Sequence, residues 1–160
     1  MIKSGLIFGA AAFVLILGSS ILVSPLCAPC LGMILGLGAG YVAGIYDKPA
    51  SSGEGVRKSG IAGGIAGSMG FLGGLVGAIV NGVLLNPSSL EMLYETFGLP
   101  KVTVDQTTIW AAQIAGGFCI GLFNIAWMAI LGVAGGTLWY QVRGKYQTAT
   151  MVPPLEPPIP

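Results

Sequence analysis

The chain has 160 residues, 54% apolar and only 8% charged, with 27 glycines, no histidine and a net charge of +1. Soluble domains carry about 25% charged residues, so this composition cannot cover a water-facing surface and offers no basic field for nucleic acid. Uninterrupted apolar runs, set against the ~20 residues a helix needs to cross a bilayer core, point instead to an all-α integral membrane protein.

The first predicted span runs from about residue 5 to 23. Lys3 followed by an apolar run also fits the opening of a secretory signal. Against that reading, "LVSPLCAP" offers no small-x-small cleavage site, and Pro25 stands where cleavage would fall. It also has no small residue directly before Cys27, as a lipoprotein signal requires, so a retained helix is expected. In "SPLCAPC", Pro25 and Pro29 then block helix continuation and force a tight turn.

The second predicted span, about 30 to 46, reads "CLGMILGLGAGYVAGIY". Gly38-Ala39-Gly40-Tyr41-Val42-Ala43 fits a loose dinucleotide pattern, but that pattern needs a preceding strand within a soluble domain, and a proline turn precedes it here. Gly32, Gly36, Gly40 and Gly44 recur every fourth residue instead. Such a row lines one helix stripe and lets helices approach closely in lipid, where packing drives association. "DKPASSGEGVRK" reads as a basic loop. Its "GEGVRKS" only superficially resembles a phosphate loop, since Arg57 replaces the glycine before Lys58-Ser59.

The third predicted span, about 59 to 85, places Gly63 with Gly67, and Gly70, Gly74, Ala78 and Gly82, at spacing four. Gly60, Gly64 and Ser68 form a parallel row, so this helix is expected to pack on two neighbours through a glycine zipper. Segment 86 to 107 follows. Its Ser88 or Ser89 cap and its Leu90, Leu93, Tyr94 and Phe97 stripe predict a short amphipathic helix over about 88–98, ended by Gly98 and Pro100. It either lies in the membrane interface or touches a partner, or it packs on its own bundle. The fourth predicted span, about 108 to 140, is overlong, with Gly116-Gly117 and Gly135-Gly136 as places to bend. It adds the pairs Gly117 with Gly121 and Gly132 with Gly136. Residues 1–146 thus form a four-span membrane domain. Residues 147–160 form a proline-rich extended tail, where Pro153, Pro154, Pro157 and Pro158 are either a disordered end or a docking segment.

Lys3, Lys48, Arg57, Lys58, Arg143 and Lys145 all fall on one side only if there are four spans. By the positive-inside rule both termini are then cytoplasmic, which suits a prokaryotic inner membrane. No Asp, Glu, Lys, Arg or His lies inside a predicted span. That removes the buried carboxylate of a rotary-ring subunit and the ionisable relays of many pumps. The intramembrane polar set is Ser19, Ser20, Ser68, Asn81, Gln113, Cys119, Asn124 and Thr137. Gln113 and Asn124, three turns apart on one face, either bond across helices or line a narrow polar path.

Cys27-Ala28-Pro29-Cys30 is the one candidate for chemistry. A C-x-P-C turn entering a helix resembles the redox pairs of thiol oxidoreductases, where helix-terminal amides stabilise a thiolate. A structural disulfide, plain thiols and a cofactor or partner attachment point remain open alternatives. Four-span membrane thiol oxidases also carry a C-x-x-C on the outer face, but they need a second cysteine pair or a partner, and Cys119 has no mate.

The run "LGLGAGYVAG" with "SGIAGGIAGSMGFLGGLVGAI" resembles several families of small glycine-rich four-span prokaryotic membrane proteins of unknown function, over about residues 30–82. The resemblance implies no activity. The sequence therefore predicts a non-catalytic membrane protein: a homo-oligomer or an accessory subunit of a larger complex, such as a respiratory or photosynthetic assembly. Its expected partners are lipid and other membrane subunits or itself. No metal or resident cofactor is expected, although the bundle leaves room for a lipid, quinone or pigment. Redox use of Cys27 and Cys30, or a small-solute or lipid path, are the alternatives.

Overall fold

The computed structural model describes residues 1–22, 28–84, 92, 95–98 and 105–146. The described residues form four long helices: α1 (Ile2–Leu22), α2 (Ala28–Asp47), α3 (Ser52–Leu84) and α4 (Gln106–Trp139). A π-helical turn, Tyr140–Gly144, continues α4. All four are long and apolar enough to cross a membrane. At about 1.5 Å per residue, α1 and α2 are about 30 Å long, close to the thickness of a bilayer core, while α3 is about 50 Å long.

Local chemistry explains where the helices depart from the sequence reading. The expected basic loop is largely helical, because α3 starts at Ser52 rather than Ser59. Ser51 Oγ accepts the Glu54 N–H (3.3 Å), Glu54 Oε2 accepts the Ala50 N–H (3.0 Å), and Glu54 pairs with Lys58 one turn on (2.6 Å). These contacts resemble a capping box and hold the first turns locally. Lys48, at φ 38°, terminates α2, its N–H still bonded to the Gly44 carbonyl (3.1 Å), and Pro49 follows. The left-handed residue is the usual helix stop, here filled by lysine rather than glycine. At the start of α4, Asp105 accepts the Thr108 N–H (3.0 Å) and the Thr108 hydroxyl.

α3 packs on both α1 and α4, and α2 packs on α4, with smaller α2–α3 and α1–α2 contacts. α1 and α4 scarcely touch. The core is built from small residues, with Ala12, Ala39, Ala62 and Ala66 fully buried and Met128 the largest fully buried side chain. A β-carbon added at a glycine shows how near each neighbour lies. On α2, at Gly32 it would overlap Asn124 Oδ1, at Gly36 stand 3.0 Å from the Met128 carbonyl oxygen, at Gly40 overlap that of Gly132, and at Gly44 stand 2.6 Å from the Trp139 ring. All four positions therefore face α4. On α3, Gly63 and Gly67 meet Met128 and Ile125 of α4, while Gly82 meets the Trp110 ring. Gly117 and Gly121 of α4 meet Ala78 and Phe71 of α3.

Two details differ from the sequence pattern. The face of α3 against α1 runs through Gly70, Gly73 and Gly77, which meet Ile16, Phe13 and Ser20, whereas Gly74 has nothing nearer than 3.8 Å. Helical neighbours alternate between three and four residues, so a strict period of four drifts off the contact. The parallel row does not form a second buried face: Gly64 has nothing within 4 Å and Ser68 is exposed. The α-helical hydrogen bonding continues through Gly116-Gly117 and Gly135-Gly136, and changes register only at Tyr140–Gly144. Gly135 and Gly136 also serve close approach, against the Leu37 carbonyl and Ser59 Oγ.

These levels fix direction. Gly5 of α1 and Gly132 and Gly136 of α4 lie against Ala62 and Ser59 at the same end of α3, and the Met1 amine contacts the Asp47 carboxylate there. The start of α1 and the end of α4 therefore share one end of the bundle.

Candidate functional site

Where α1 and α4 fail to meet, the bundle keeps a cavity of about 160 Å³. Ile16 and Ser20 of α1, Gly70 and Gly74 of α3, and Gln113 and Asn124 of α4 bound it. The two polar α4 residues singled out by their spacing thus line one space. Asn124 is 2% exposed, and its Oδ1 is buried with no hydrogen-bond partner. That oxygen is pressed against Gly32 of α2, where any β-carbon would displace it. The Nδ2 end points towards Gly70, 3.7 Å from the β-carbon position there, on the cavity side. Among the described residues, neither the Asn124 amide, the Gln113 amide nor the Ser20 hydroxyl makes a hydrogen bond. Leaving a buried amide atom unpaired costs about 1–3 kcal/mol. Of the two alternatives for Gln113 and Asn124, the cross-helix bond is not formed, and both residues line the cavity.

No residue lining the cavity is ionisable. Its chemistry is neutral, two amides and a hydroxyl in an otherwise apolar wall, suited to binding and orienting an uncharged guest. The Ser20 contribution could not be read from sequence, because nothing in the α1 pattern relates Ser20 to α4. Gly116 has nothing within 4 Å and leaves the wall open.

The remaining predicted residues lie elsewhere. Asn81 Nδ2 donates to the Ser20 carbonyl (2.9 Å), tying α3 to α1. Two hydrogen bonds of the same kind were not anticipated: Ser59 Oγ to the Gly40 carbonyl (3.2 Å), and Gln106 Nε2 to the Gly82 carbonyl (3.1 Å). A serine or glutamine in a glycine-rich run carries no signal for its partner. Cys30, at the first turn of α2, and Cys119 are exposed free thiols, and Cys27 lies outside the described residues. Leu90, Leu93, Tyr94 and the tail prolines Pro153, Pro154, Pro157 and Pro158 also lie outside them. Phe97 is exposed, and Gly98 beside it takes φ +65° with its N–H on the Glu95 carbonyl (3.2 Å), the geometry of a helix end. Among the described residues there is no cluster of three or more His, Cys, Asp or Glu side chains.

Outside the membrane spans, hydrogen bonds from Thr108 hold the Asp105 carboxyl below its ordinary range. Burial, reinforced by Lys58, lowers the pKa of the Met1 amine. Comparison with known proteins returned no matching family model, curated protein or solved structure.

Proposed function

We propose that the chain is a non-catalytic integral membrane protein, a self-contained four-helix bundle closed by glycine-zipper contacts and serving as an accessory subunit of a larger membrane complex. The carrying observation is where the small residues go. Gly32, Gly36, Gly40 and Gly44, with Gly63 and Gly67, are occupied by α4 of the same chain, and Gly70, Gly73 and Gly77 by α1. These rows are therefore not available for pairing copies of the protein. The outward surface carries large apolar side chains such as Val14, Ile34, Phe123 and Ile130, suited to lipid. Gly64 and Ser68, one turn apart on α3, remain on that surface and would allow a partner helix to approach closely.

Membrane placement follows the same reasoning. Lys3, Lys48, Arg57, Lys58, Arg143 and Lys145 belong to the bundle end where α1 starts and α4 finishes, which supports cytoplasmic termini in a prokaryotic inner membrane. The segment about 88–98 and the proline tail would supply contacts outside the bilayer. The test is affinity isolation of the tagged chain from its native membrane in mild detergent. The expected result is an unlike membrane protein at fixed stoichiometry, weakened by Gly64→Leu. Recovery only as a monomer or a homo-oligomer would overturn the subunit reading. A second reading, a small-molecule site between the helices, is favoured by the unpaired amides of the cavity.

A further inference from the structure

We propose that the cavity between α1 and α4 binds the ring of a lipid-soluble quinone. Size is the first argument. The space is about 160 Å³, and an apolar protein cavity of about 150 Å³ holds a single benzene ring. Shape is the second. Gly70 and Gly74 on α3 and Gly116 and Gly117 on α4 present backbone rather than side chains. Gly116 has nothing within 4 Å and Gly74 nothing nearer than 3.8 Å. Ile16, Ala78, Ala112 and Ile120 supply the apolar remainder of the wall, and the open side at Gly74 and Gly116 leaves room for a ring.

Polarity is the third argument, and it separates a quinone from plain hydrocarbon. Asn124 Nδ2, the Gln113 amide and the Ser20 hydroxyl bring neutral donors to the cavity with no partner among the described residues, while Asn124 Oδ1 turns away towards Gly32. A hydrocarbon guest would leave them unpaired. A charged headgroup would find no counter-charge on the lining, and burying an unpaired charge is far more costly than burying an unpaired amide. A quinone offers two neutral acceptors at opposite ends of its ring. Asn124 and Gln113 both line the cavity from α4, about three helical turns apart. Ser20 adds a hydroxyl donor from α1.

Access is the fourth argument. The cavity lies between α1 and α4, which scarcely touch, and Gly116, with nothing within 4 Å, leaves part of its wall open to an entering guest. The inference concerns binding and needs no electron transfer. It is independent of the subunit reading, which rests on helix packing and would survive its failure.

The test is saturation binding of a radiolabelled decyl-1,4-benzoquinone to the full chain in lipid nanodiscs, with empty nanodiscs subtracted. One saturable site per chain is expected. Gly116→Leu fills open space without meeting a neighbour, so the fold is retained while binding falls at least tenfold. Gln113→Leu and Asn124→Leu should each weaken it about tenfold. Decylbenzene, which keeps ring and tail but lacks carbonyls, should fail to compete at equal concentration. Non-saturable uptake, equal competition by decylbenzene, or unchanged binding to a correctly folded Gly116→Leu would each overturn the proposal.

Discussion

Gly40→Ala probes how α2 sits on α4 at its tightest point. The added β-carbon would overlap the Gly132 carbonyl oxygen and stand 2.6 Å from its carbon and 2.8 Å from its Cα. Ordinary contact begins near 3.4 Å, so the carbonyl carbon alone requires a parting of about 0.8 Å, the difference between 3.4 and 2.6 Å, and the overlapping oxygen requires more. The obstacle is main chain, which has no rotamer to swing aside. Overpacking of this kind costs about 1–3 kcal/mol, and replacing glycine by alanine within a helix returns up to about 1 kcal/mol. Subtracting the two leaves about 0–2 kcal/mol, and the immovable main chain puts the expected loss near the upper end, up to roughly a thirtyfold shift in the folding equilibrium. Gly64→Ala is the matched control, because nothing lies within 4 Å of it. It keeps only the propensity gain and should leave the protein as stable as before or slightly more so. Reversible unfolding in mixed micelles, followed by tryptophan fluorescence and circular dichroism, measures both. The reasoning is refuted if Gly40→Ala is as stable as Gly64→Ala.

Asn81→Leu removes the side-chain bond to the Ser20 carbonyl and should cost about 0.6 kcal/mol, at most about 1.7, in the same unfolding assay. Lys48→Gly relieves a non-glycine residue at φ 38° and should stabilise the chain by about 1 kcal/mol; a loss would show that the lysine side chain contributes more than its backbone costs. Asp105 caps α4 with its carboxyl held below the usual value by Thr108. A lowered folded pKa means that the cap's contribution is complete above the unfolded value of about 3.9 and is lost as pH falls through the lower folded value. Amide exchange in the first turn of α4 should therefore accelerate as pH falls below about 4, after correction for intrinsic exchange rates. Asp105→Asn, which still caps but does not titrate, should abolish that acceleration.

The four helices were legible because membrane spans are written in composition: apolar runs of sufficient length and no internal charge. The rows on α2 were legible because a period of four persists over one helix, although the identity of the facing helix was not. On α3 the pattern misled, since glycine is abundant on several faces and spacing cannot distinguish Gly73, pressed against Phe13, from Gly74, which is nearly free. The extra helical turns at Ser52–Lys58 were missed because charge and glycine suggested a loop, while the stabilising information lay in the Ser51, Glu54 and Lys58 contacts. Of the cavity, sequence supplied Gln113 and Asn124 through their shared face. The space between them arises because α1 and α4 do not meet, a tertiary fact that no single helix encodes.

The most direct measurement is a cross-link between α2 and α4 in native vesicles. With Cys27, Cys30 and Cys119 replaced by serine, Gly36→Cys and Leu131→Cys would be introduced together. The β-carbon position at Gly36 lies 3.1 Å from that of Leu131, close to the 3.5–4.5 Å of a disulfide, so a small parting of the helices suffices. Mild oxidation should give efficient bonding within the chain, with monomer mobility after denaturation and no bond between differently tagged copies. Failure to cross-link, or a bond found mainly between copies, would contradict a bundle whose glycine rows are closed within a single chain.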